Sequence, residues 1–248
     1  MLLAHGFGCD QHMWRFVIPE FEKDYQIVAF DYVGHGHSDR MAYNKDRYAS
    51  LQGYAQDVLD VCDELALKNV IFVGHSVSSM VGLLAAIERP HLFNRFIMIG
   101  PSPCYINNGG YTGGFARADI EGLIQTMEKN YIGWANFLAP AIMGNAERPL
   151  LAEELAESFC STDPVVARQF AEVTFFSDNR DDLYKISVPS LILQCSNDMI
   201  APDVVGEYLS EHLPGSTLYK MEATGHCPHM SAPDETVRLI KKYLADSL

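Results

Sequence analysis

The chain has 248 residues, 48% hydrophobic and 20% charged, a size and balance suited to one large α/β domain or a domain carrying an insertion. Its 32 acidic against 18 basic residues give a net charge of −14, which repels nucleic acid and anionic membranes, so neither is an expected partner. Six cysteines without Cys-x-x-Cys spacing read as thiols of a reducing compartment, and no basic leader precedes an apolar core, so the expected location is cytoplasmic.

Short apolar runs alternate with helical patterns, which predicts a mostly parallel sheet with crossover helices. The first strand is expected at Leu2–Ala4, running into the loop His5-Gly6-Phe7-Gly8, and the second at 26–30. Tyr54, Val58, Val61, Cys62 and Leu65 form a stripe at helical spacing, with Ser50 as its N-cap. A β-branched run at 70–73 then feeds Gly74-His75-Ser76, and a small-residue, helix-prone segment follows. A strand that turns sharply into a helix with Ser at the apex lifts the hydroxyl clear of the backbone. The N–H groups of the helix N-terminus then face any negative charge developing there. This is a nucleophile elbow, and Ser76 is the candidate nucleophile. The motif Gly-x-Ser-x-Gly is incomplete, because Ser78 holds the second glycine position, where strand and helix backbones approach closely. The same turn punctuates the apolar stretch through Ile87 too strongly for a bilayer span.

A fourth strand is expected at 95–99, after which the alternation breaks from 102 to 180. A loop rich in Gly and Asn leads into four helical stripes with no strand between them. Ile120, Leu123, Ile124 and Met127 make the first; Tyr131, Trp134, Ala135 and Leu138 the second; Leu151, Leu155 and Phe159 the third. Val166, Phe170 and Val173 make the fourth, started by Asp163 as N-cap and Pro164 at the first helical position. This block is expected to be a helical cap, 102–180, inserted into a core built from 1–101 and 181–248. The core resumes with strands at 190–194 and 217–221. Val237, Ile240 and Leu244 then mark a closing helix with Pro233 in its first turn.

An activated Ser needs a base to take its proton and a third group to orient that base. Chain order Ser, acid, His, each after a strand, selects the partners. Asp198 follows the strand at 190–194 and sits where the orienting carboxylate belongs; Asp203, behind Pro202, fits a helix start better. His226, preceded by Gly225 just past the last strand, is the expected base, and His229 lacks the glycine. The oxyanion hole requires two N–H donors. Val77, next to the nucleophile, supplies one and Phe7 the other. His35 and His37 have no matching third ligand, and no Gly-x-Gly-x-x-Gly or Walker sequence is present, so neither a metal nor a cofactor is expected.

His5-Gly6-Phe7-Gly8-Cys9-Asp10-Gln11, Gly74-His75-Ser76-Val77-Ser78-Ser79-Met80 and Gly225-His226-Cys227-Pro228-His229 resemble the bacterial RsbQ-type hydrolases of the α/β-hydrolase superfamily. Plant karrikin and strigolactone receptors are the close relatives of that group. Phe159-Cys160-Ser161-Thr162-Asp163-Pro164 and Phe175-Phe176-Ser177-Asp178 extend the likeness through the cap, so it covers essentially the whole chain. Ser78 is similar to the plant receptors, whereas the RsbQ type has Gly there.

The resemblance implies an α/β-hydrolase fold with a four-helix cap over an apolar pocket, and the Ser, Asp and His at its floor. It makes Phe7, Trp134, Phe137, Phe175 and Met199 candidate pocket walls. It also implies a small apolar ester or lactone as substrate. In some members a regulatory protein partner carries the output, as in activation of a stress sigma factor. Relatives begin with a β-hairpin ahead of the first strand here; the expectation is a truncated start, or an edge at 26–30 covered by a partner subunit. A dehalogenase of the same fold is excluded by its nucleophile, which would be Asp.

Overall fold

Strands covered on both faces read as near-continuous apolar runs, as residues 70–73, 96–99 and 191–193 do here. The computed structural model describes residues 1–246 of the chain. Its strands are β1 (Leu2–Ala4), β2 (Val28–Phe30), β3 (Val70–His75), β4 (Phe93–Ile99), β5 (Ser190–Ser196) and β6 (Ser216–Thr224). They lie in the order β2-β1-β3-β4-β5-β6, and among the described residues every pairing in the sheet is parallel. All six expected strands are present, most of them longer than their apolar runs.

Side chains alternate across the sheet with a period of two. Leu3, Val73, Ile97, Ile99, Leu191 and Leu193 enter one apolar cluster; Leu2, Ala4, Phe72, Phe96, Met98 and Ile192 enter the other. The second cluster is closed by α1 (Leu51–Glu64), α2 (Val77–Glu88) and α7 (Asp203–His212). The first is closed by α9 (Pro233–Asp246) with Met13 and Trp14 of a short turn of helix, and the four-residue α8 (Pro228–Ser231) leads into α9. Ser50 stands at the N-cap of α1 in extended backbone, but its side chain makes no capping bond, so the sequence expectation holds for position only.

Between β4 and β5 stand four helices: α3 (Arg117–Lys129), α4 (Tyr131–Met143), α5 (Pro149–Ser161) and α6 (Pro164–Phe175). Asp163 caps α6 by accepting from the N–H groups of Val165 and Val166. Chain enters and leaves this block side by side. Cys104 and Asp178 form an antiparallel bridge, and the Asn179 N–H donates to the Pro103 carbonyl at 2.7 Å. Trp134, Leu138, Leu155 and Phe159 join the same cluster as Leu3 and Ile97, so these helices bury their apolar stripes on the core rather than on one another alone. No helix among the described residues is long and apolar enough to cross a membrane.

The chain order reverses between β1 and β3. In parallel α/β sheets the crevice outside the carboxyl ends of two such strands is where ligands bind. The loop beginning at His5 and the turn at Ser76 leave from those two strand ends.

Candidate active site

The turn from β3 into α2 is sharp enough to force Ser76 to φ 55°, ψ −124°, a conformation side chains rarely adopt. Its N–H is anchored by the Ile99 carbonyl at 2.8 Å. Gly74 lets the helix cross behind the turn: a Cβ there would meet the Ser78 backbone at 2.8 Å. Ser78 fits its tight position because its hydroxyl is used. It donates to the His5 carbonyl at 2.5 Å and accepts from the Tyr32 hydroxyl at 2.8 Å, tying the elbow helix to the loop that carries Phe7.

Ser76, Asp198 and His226, separated by up to 150 residues, converge here. His226 Nδ1 lies 2.7 Å from Asp198 Oδ2, and its Nε2 lies 2.8 Å from Ser76 Oγ. A carboxylate can only accept, so Nδ1 carries the proton and Nε2 presents its lone pair to the Ser76 hydroxyl. Asp198 Oδ1 is held by the N–H groups of Ile200 and Ala201 at 2.8 and 3.1 Å. All three side chains are buried. Asp203 opens α7, as its place behind Pro202 suggested.

The main chain of His226 is clamped from two sides. Its N–H donates to the Ile142 carbonyl near the end of α4 at 2.9 Å, and its carbonyl accepts from His75 Nε2 at 2.9 Å. Gly225 makes the first contact possible: it sits at φ 79°, and a Cβ would lie 2.0 Å from the Met143 carbonyl oxygen. Burial lowers the pKa of His75 far below the ordinary imidazole value, helped by its proximity to His229 and His226, and burial takes His229 down to about 3. Neither neighbour adds a positive charge beside Ser76.

Tyr105, which follows β4, was not singled out from sequence because no motif marks it. Its hydroxyl lies 3.4 Å from Ser76 Oγ and donates there, since the Ser76 proton points to His226. Above Ser76 opens a narrow pocket walled by Phe7, Ile142, Leu155, Phe159, Phe175 and Ile200, with Thr174 presenting a buried, unpartnered hydroxyl group. A second narrow space, lined only by apolar surface, adjoins it through Phe175 and Ile200; Trp134, Leu138 and Ile120 are among its walls.

Phe7 and Phe175 therefore border the serine, and Trp134 borders the adjoining space. Phe137 does neither: it is 75% exposed. The buried positions of α4 (134, 135, 138, 139, 142 and 143) centre on one side of the helix, and at 3.6 residues per turn Phe137 projects roughly 150° away. Met199 is also turned outward, at 40% exposed, because Asp198 draws the next two N–H groups to itself and swings Ile200 inward instead. Val77 is the first residue of α2, directly after Ser76, and Phe7 lies on the loop after β1, packed against Trp134, Phe159, Phe170 and Phe175. Among the described residues, the side chains with metal-ligating atoms gathered within 4.8 Å of one another are not His35 and His37 but His75, Cys227 and His229. That group is closed to an ion as it stands: His75 Nε2 is bound to the His226 carbonyl, and its Nδ1 is aimed into the Gly6 backbone, where a Cβ would lie 2.3 Å away.

Residues 1–239 match the family described as the alpha/beta hydrolase family. A karrikin insensitive 2 receptor of Petunia hybrida is 36% identical, covering 100% of this chain and 91% of that protein. A strigolactone esterase of Pisum sativum is 38% identical over 94% of this chain and 88% of that protein. A solved hydrolase from Oleispira antarctica is 48% identical and superposes with a TM-score of 0.96, covering 98% of this chain and 90% of the other. The match spans the sheet, the elbow and the inserted helices alike, and the chain belongs to the alpha/beta hydrolase family.

Proposed function

We propose that the chain is a serine hydrolase of carboxylesterase type that cleaves a small apolar ester or lactone by acyl transfer. One observation carries this reading: the hydrogen-bonded run from Asp198 through His226 to Ser76 ends in a cavity with apolar walls. Ser76 Oγ attacks the carbonyl carbon while its proton passes to His226 Nε2; Asp198 stays ionised and holds the imidazolium in place. The N–H groups of Phe7 and Val77 take the developing oxyanion. Collapse of the tetrahedral adduct breaks the ester C–O bond, and His226 returns the proton to the leaving oxygen. Water then repeats the sequence and frees the acid. No cofactor takes part.

The tightness of the pocket over Ser76 favours small substrates, and its walls favour apolar ones. Helices α3 to α6 act as the cap, supplying Ile142, Leu155, Phe159 and Phe175 to the cavity. All six cysteines are free thiols, five of them buried, which supports a cytoplasmic location. Hydrolysis of a short nitrophenyl ester tests the proposal: many turnovers by the native chain and none above background by Ser76→Ala are expected. Equal rates for the two would overturn it.

Relatives named as receptors favour a second reading, a regulator of RsbQ type whose output is a protein partner and whose hydrolysis is slow. Release of about one nitrophenolate per chain, followed by arrest, would select it over the enzyme.

A further inference from the structure

Tyr105 touches a reacting atom, yet the hydrolysis proposed above gives it no part. It is 1% exposed, and among the described residues its hydroxyl has one hydrogen-bond partner, Ser76 Oγ at 3.4 Å. Paired hydroxyls prefer about 2.7–2.8 Å, so this O–H is held beside the serine without being spent on it. The ring is fixed in place. It packs edge-on against Phe175 at 5.1 Å, its carbonyl accepts from the Phe115 N–H at 3.1 Å, and the bridge between Cys104 and Asp178 adjoins it. Burial raises the phenol pKa, with the charge of Asp198 adding to it. The group therefore keeps its proton at neutral pH and donates to whatever negative charge develops within its reach.

The sheet order decides which charge that is. β1 and β4 flank β3 on opposite sides. Phe7, a donor to the oxyanion, follows β1; Tyr105 follows β4, on the side from which Asp198 after β5 and His226 after β6 also come. In the tetrahedral adduct the oxyanion faces Phe7 and Val77, and the leaving oxygen faces His226. We infer that Tyr105 is a further catalytic residue, donating a hydrogen bond to the leaving oxygen as the ester C–O bond breaks. That oxygen and Ser76 Oγ are then bonded to the same carbon, so rotation of the phenolic O–H carries the hydrogen bond from one to the other. The tyrosine proton is not transferred: His226 supplies the proton that departs with the alcohol, and Tyr105 ends as it began. A donor placed here counts most where the departing oxygen is strongly basic. The substrate class it fits is an aliphatic ester or lactone, whose leaving group is an alkoxide. The inference rests on the hydrolase reading.

The test compares kcat/KM, which reports acylation, across acetate esters of nitrophenol, phenol, trifluoroethanol and ethanol. Dividing the native value by that of Tyr105→Phe cancels differences in how each alcohol fits. The ratio is expected to grow from a few-fold with nitrophenyl acetate to roughly 100-fold with ethyl acetate, about what one lost donor costs in an oxyanion hole. Thermal melts confirm the fold. Should Tyr105→Phe fail to fold, a ring-fluorinated tyrosine at the same position, a stronger donor of nearly the same shape, is expected to make the dependence on leaving group shallower than in the native chain. A loss equal for all four esters, no loss, or an unchanged dependence in the fluorinated chain would overturn the role of Tyr105 while Ser76-dependent turnover stands. Equal rates in the native chain and Ser76→Ala would overturn the hydrolase reading, and this inference with it.

Discussion

The strand ends and the inserted helices do different work around one cavity. The strand ends fix atoms. Ser76 is held at φ 55°, Asp198 by two backbone N–H groups, and His226 by hydrogen bonds on both sides of its peptide. The helices fix shape: α4, α5 and α6 bring Ile142, Leu155, Phe159 and Phe175 over the serine. One contact joins the two regions, the Ile142 carbonyl accepting from the His226 N–H, so the helices also bear on the chemistry. The difference teaches that substitutions at strand ends should change rate, and substitutions in the helices should change selectivity or nothing.

The largest effect expected is for His226→Ala, a loss of roughly 10⁶-fold in kcat for a nitrophenyl ester, about what removal of the base costs in a serine hydrolase. Asp198→Asn should lose roughly 10⁴-fold, since it favours the wrong imidazole tautomer, with the fold retained by circular dichroism. A loss under tenfold in either would separate these residues from the chemistry. Phe175→Ala acts from the helices. It should shift the ratio of kcat/KM between short and long acyl esters by about 10- to 100-fold while leaving kcat for the best substrate within a few-fold.

A pH effect is read most simply where the two regions meet, between α6 and the loop after β1. His35 is buried against Phe170 and His5, with Asp31 near, and burial takes its pKa to about 3. The unfolded chain binds a proton there below about pH 6.5 and the folded chain does not, so stability is full above that pH and falls as pH drops toward 3. By pH 5 this one group removes about 2 kcal/mol, measurable as a drop in the urea midpoint. His35→Leu should flatten that slope; an unchanged slope would mean the ring is protonated in the fold. The smallest effect is for Phe137→Ser on the outer face of α4, under about 0.5 kcal/mol in stability and none in selectivity.

Much of this was legible in the sequence because it depends on local order. The β-branched run before Gly74, the acid after Gln194 and the Gly-His after Met221 are all strand-end signals, and strand ends are where parallel sheets gather residues. The helical stripes from Ile120 to Val173 were also readable as α3 to α6, since period alone defines them. Direction was not. Phe137 and Met199 are the right residue types beside the right neighbours, yet helix phase and a two-donor turn point them outward. Tyr105, Thr174 and the meeting of His75 with His229 depend on contacts between distant parts of the chain, for which no spacing rule exists. Ser78 gave a partial signal: its size was a misfit for the motif, but its two hydrogen bonds exist only in three dimensions.

The central claim is that the fold makes Ser76 a nucleophile. Its most direct test is the mass of the folded chain after treatment with a serine-directed phosphonylating probe, followed by peptide mapping. A single adduct on Ser76, absent from His226→Ala and from the chain unfolded in urea, is the expected result. A folded native chain with Ser76 unmodified, or labelled no faster than its other serines, would contradict the claim.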